Sequence, residues 1–73
     1  MKIKEYLEKE KQKRSDELDS CKKRINELDD MNEKVEGEED LKKIGDELES
    51  LKAKKAELEA QLKEIDDQIA ELD

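Results

Sequence analysis

Residues 36–40 read Glu36-Gly37-Glu38-Glu39-Asp40, and the fold turns on how they are taken. On the C-terminal side, apolar residues recur at alternating spacings of three and four: Leu41, Ile44, Leu48, Leu51, Leu58, Leu62, Ile65, Ile69 and Leu72. That spacing places them on one side of a helix, in a heptad frame with Leu41, Leu48, Lys55, Leu62 and Ile69 at a and Ile44, Leu51, Leu58, Ile65 and Leu72 at d. The alanines fall at b and f and nothing apolar falls at e or g. The stripe is therefore narrow and suits a two-stranded seam.

On the N-terminal side a second frame runs through Leu18, Ile25 and Asn32 at a, and Leu7, Cys21, Leu28 and Val35 at d. Lys4 and Lys11 occupy a and Arg14 occupies d, so its first two heptads are weak. Ile3 and Met31 add apolar surface at g. Continued past Gly37, this frame puts a on Glu39 and misses Leu41 by two residues, an offset that neither a stutter nor a stammer produces. One helix cannot carry both stripes. The break falls at Gly37, which can adopt a left-handed conformation and end a helix, while Glu38 and Glu39 suit the first turn of the next.

The sequence thus predicts an all-α protein. It is an antiparallel two-helix hairpin of coiled-coil type, with a helix over 2–36, a turn over 36–40 and a helix over 39–72. Each helix should be about 50 Å long. Dimerisation into a longer coiled coil or a four-helix assembly is left open, and the rival fold is a parallel dimer of one long interrupted helix. Folding back at Gly37 pairs every a with a d. The expected core layers are Val35/Leu41, Asn32/Ile44, Leu28/Leu48, Ile25/Leu51, Cys21/Lys55 and Leu18/Leu58. Towards the open end the layers become Arg14/Leu62, Lys11/Ile65, Leu7/Ile69 and Lys4/Leu72. Asn32 reads as a register-setting polar residue or as a cap near the turn. Glu17 with Lys54, Arg24 with Glu47, and Lys22 with Glu59 are favourable diagonals across the seam, whereas Glu8 lies near Asp66 or Asp73.

Composition narrows the function. Charged residues make up 55% of the 73, apolar residues 32%, and the net charge is −8. Too little apolar carbon is present for a conventional globular core. No apolar run is long enough to span a bilayer, and the apolar face is too narrow for a helix lying on a membrane surface. With no His and one Cys, histidine-based catalysis and disulfide stapling are excluded. An EF-hand reading from Asp30 fails at Lys34 and Val35, so no metal or other cofactor is expected. A two-helix hairpin has no pocket in which to tune a catalytic carboxylate, and no enzyme or small-molecule substrate is expected. The first residues lack the apolar region of a signal peptide, which together with a lone thiol leads us to expect a cytoplasmic protein.

The expected function is a structural, assembly or adaptor role through coiled-coil contacts with a protein partner or a second copy. Lys4, Lys11 and Arg14 either lay their stems over the apolar stripe of the second helix or leave the open end unsealed. In the second case Leu58, Leu62, Ile65, Ile69 and Leu72, with Tyr6 and Leu7, would meet the partner. An unsealed end would also suit a holdase-like binder. The alternative is a nucleic-acid-associated regulator, using the basic segment 9–24 or acting as an acidic decoy. Residues 1–24 hold nine basic and six acidic groups, net +3, but the overall charge opposes phosphate binding.

Overall fold

A computed structural model describes residues 2–72. It contains two long helices, α1 (Lys2–Lys34) and α2 (Glu38–Leu72), packed against each other as an antiparallel hairpin. The molecule is a rod of 54 × 14 × 13 Å, in line with the length expected for one helix. The absence of Pro and the abundance of Lys, Glu, Leu and Ala favour helix throughout. Association comes from the narrow apolar stripe on each helix, because neither helix can shield its own.

The turn lies one to two residues earlier than the sequence suggests. Helix α1 ends at Lys34 rather than residue 36, α2 starts at Glu38 rather than 39, and only residues 35–37 connect them. The N–H of Val35 donates to the carbonyl of Met31 at 3.0 Å, completing the last helical bond of α1. The N–H of Leu41 donates to the carbonyl of Gly37 at 3.0 Å, opening α2. Gly37 is therefore the N-cap of the second helix and not the left-handed terminator of the first. No glycine in the described residues has a positive φ. Glycine is tolerated at an N-cap, and Glu38, Glu39 and Asp40 place three carboxylates beside the unpaired N–H groups of the first turn. The charge of the segment thus does the work that the sequence reading gave to backbone conformation.

The core is a single file of side chains. Leu18, Cys21, Ile25 and Leu28 of α1 are buried, as are Ile44, Leu58 and Ile65 of α2, with Leu28 the most enclosed at 1% exposure. Val35, Leu48 and Leu51 are half-buried. Leu41 departs from its expected core position and is 40% exposed. The cause is the short connection. Leu41 sits in the first turn of α2, beyond the end of α1, and only half-buried Val35 and exposed Asn32 lie nearby in the expected layers. Asn32 accordingly does not sit sealed in the seam, and no polar side chain is buried among the described residues.

The Cys21 thiol donates to the carbonyl oxygen of Leu51 at 3.2 Å. In a helix that carbonyl points towards the N–H four residues on, so Cys21 seats in the step between Leu51 and Lys55. Lys55 is half-buried there, consistent with a stem laid along the seam and an ammonium reaching water.

Two glycines give opposite tests of this backbone. A Cβ added at Gly45 meets nothing within 4 Å, and Gly45 lies inside α2. Gly45→Ala should stabilise the hairpin by about 1 kcal/mol and raise Tm by about 4–8 °C in thermal melts followed by circular dichroism. At Gly37 a Cβ would lie 3.7 Å from Asp40 Oδ2, an ordinary contact. Gly37→Asp should therefore be neutral or gain a few tenths of a kcal/mol as an N-cap. A clear loss there would mean that the turn needs a left-handed residue after all.

Candidate interaction face

The seam has two flanks. One is built from the g positions of both helices, Glu10, Glu17, Arg24 and Met31 facing Asp40, Glu47, Lys54 and Gln61. The other is built from the e positions, which include Ser15, Lys22 and Glu59.

At the open end, two of the three cations placed in the apolar frame, Lys11 and Arg14, turn their heads out of it. Lys11 Nζ pairs with Asp66 Oδ1 at 2.7 Å, on the e flank. On the g flank, Arg14 Nε donates to Gln61 Oε1 at 3.0 Å, and its Nη1 pairs with the Glu10 carboxylate one turn earlier. The hydrogen bond to Glu10 pushes the Arg14 pKa above its ordinary value. Gln61 in turn donates to Glu57 at 3.4 Å. Long side chains that leave the seam in this way keep their methylenes over it.

Of the two arrangements expected at the open end, this placement favours stems laid over the stripe. Leu58 and Ile65 are buried at 5% and 8% exposure, and Leu62, Ile69 and Leu7 are half-buried. None of these five is fully exposed. Of the residues named from the sequence for that role, only Tyr6 at 60% and Leu72 at 37% are exposed. The suggested Glu8–Asp73 contact lies outside the described residues.

Mid-seam, Arg24 makes a two-pronged pair with Glu47, Nε to Oε2 at 2.8 Å and Nη2 to Oε1 at 3.2 Å. Donation from Arg24 holds the Glu47 carboxyl below the usual carboxylate range, and the same bond raises the Arg24 pKa. Of the three diagonals expected from the sequence, this one alone closes among the described residues. A guanidinium can engage both carboxylate oxygens at once, which lysine in the other two pairs cannot do.

Beside this pair, at the turn end of the g flank, lies a groove of about 530 Å³. Leu28, Val35 and Ile44 supply its apolar part, Met31 stands 46% exposed at its edge, and Lys34 and Lys43 border it. The sequence had put apolar residues at g at both ends of α1, Ile3 and Met31, yet drew attention to the a/d stripe instead. At the open end of the same flank Tyr6, Leu7 and Ile65 border a smaller groove of about 290 Å³. Tyr6 and Met31 border these two grooves, and Ile3 falls on the same flank by its g position; the three are among the five large apolar side chains left exposed in the described residues.

Chemically this surface can pack and pair. No group of three or more His, Cys, Asp or Glu side chains among the described residues converges to hold a metal, and no helix there is long and apolar enough to cross a membrane. Comparison with known protein families, curated proteins and solved structures returns no match.

The Arg24–Glu47 pair should carry a pH signature. A carboxyl held below its normal range contributes stability that is complete above the unfolded-state value and is lost as pH falls through the folded one. In a double-mutant cycle of Arg24→Gln and Glu47→Gln, the coupling in Tm should be favourable near neutral pH. It should vanish on acidification below the carboxylate range and shrink with added salt. Coupling unchanged by acid would show that the pair acts through packing alone.

Proposed function

We propose that the chain is a non-enzymatic interaction module that works in assembly or as an adaptor, docking other protein through helix packing. The observation that carries this is the single flank on which Tyr6 and Met31 stand exposed beside two grooves, with Ile3 exposed at a g position of the same flank. Single exposed apolar side chains are ordinary, but these border grooves that run into the seam, Tyr6 beside Leu7 and Ile65 and Met31 beside Leu28, Val35 and Ile44. Aromatic and methionine side chains are the types enriched where protein surfaces meet. A reducing compartment such as the cytoplasm suits the unpaired thiol of Cys21.

The nucleic-acid alternative has less support. Of the cations in segment 9–24, Lys11, Arg14 and Arg24 are already engaged by Asp66, Glu10 and Glu47. What remains is no concentrated basic face, and phosphate binding requires one.

Photo-crosslinking residues placed one at a time in the producing cell would test the reading. Positions 6 and 31 should yield covalent adducts to protein, whereas exposed positions 23 and 53, on the outward side of each helix, should yield few. Equal yields at all four positions, or adducts to nucleic acid at position 23, would overturn it.

A further inference from the structure

We infer that the occupant of this face is a second copy of the chain, laid antiparallel, so that Tyr6 and Ile3 of each copy seat in the turn-end groove of the other. The inference rests on the interaction-module reading and adds the partner and its direction. Three observations meet here. The first is symmetry. Helix α1 runs from Lys2 to Lys34, so its midpoint is Leu18. Tyr6 lies twelve residues before that point and Met31 thirteen after it, about 18 Å and 20 Å along the helix. A twofold axis through the face at Leu18 therefore exchanges the exposed aromatic of one copy with the exposed methionine and groove of the other. An interface of that kind closes at two copies.

The second is charge. The turn third of the hairpin, residues 25–48, carries ten acidic and three basic groups, net −7. The open end, residues 2–13 with 61–72, carries seven acidic and six basic groups, net −1. Parallel copies would set −7 against −7. Antiparallel copies set −7 against −1 at both ends, which is the far weaker repulsion. The third is size. A face of 54 by 14 Å presents about 760 Å² per copy, close to the roughly 800 Å² per partner of a stable interface. The product is a four-helix dimer, with the Arg24–Glu47 pair of each copy near its middle and apolar contacts at its two ends.

Light scattering across concentration, with cysteine crosslinking, tests this on the whole chain. The mass should rise from 8.6 kDa towards twice that value and stop. It should rise more readily with added salt, which screens the residual repulsion. Tyr6→Glu and Met31→Glu should each weaken association by at least about tenfold while circular dichroism shows the hairpin intact. For direction, a mixture of a Tyr6→Cys chain with a Met31→Cys chain should form a mixed disulfide. Neither variant should crosslink to itself, and the wild-type chain, whose one thiol is buried, serves as the blank. Self-crosslinking of Tyr6→Cys, or growth beyond two copies, would overturn the antiparallel dimer. So would a mass fixed at 8.6 kDa at every concentration. If that fixed mass came with photo-crosslinks to a different protein at positions 6 and 31, the second copy would be ruled out and the interaction module would stand. With no such adducts, both would go.

Discussion

Each helix carries a stripe of apolar side chains that it cannot bury alone, and the chain holds one other surface on which to lay it. That mutual shielding is the constraint from which the rest follows. It sets the antiparallel direction, because a three-residue connection allows no other. It sets the narrowness of the core, a file of buried residues from Leu28 and Ile44 down to Ile65. It also explains why so charged a chain can fold: most of its apolar carbon is concentrated where two helices meet.

The same constraint governs the charges nearest the seam. Lys11 and Arg14 occupy positions that the heptad reserves for apolar residues, yet they do not open the hairpin. Their heads reach Asp66, Glu10 and Gln61 on the two flanks, and Leu58 and Ile65 stay buried beside them. Arg24 and Glu47 show the complementary case of a pair that never enters the seam and ties its edges together. Solvent-exposed pairs of this sort tune register more than they stabilise. The cost of the short turn appears at its own end, where Leu41 and Met31 are left uncovered and Asn32 faces water.

Most of the fold was legible in the residues. The two incompatible heptad frames required a break, and the break fell where the acidic run and Gly37 stand. The buried set Leu18, Cys21, Ile25, Leu28, Ile44 and Leu58 lay on the a and d positions read from spacing. Gly37 was assigned a left-handed role because glycine permits one; permission is not a requirement, and the hydrogen bond from Leu41 gives it the N-cap. The candidate interaction face was less visible. Sequence position places Lys11 and Arg14 in the seam but does not say which way a long, flexible side chain turns. That choice decided whether Leu58 and Ile65 would be covered.

What the sequence determined by itself was periodicity: two amphipathic helices, their break, and the side of each that must be hidden. Periodicity is local, set by the 3.6-residue turn and the order of side chains. Tertiary structure alone decided which apolar residues remained uncovered. Exposure depends on what stands across the seam, on where α1 stops relative to α2, and on the carboxylates within reach of each cation. Those are distances between residues far apart in the chain, and they come into being only when the two helices lie side by side.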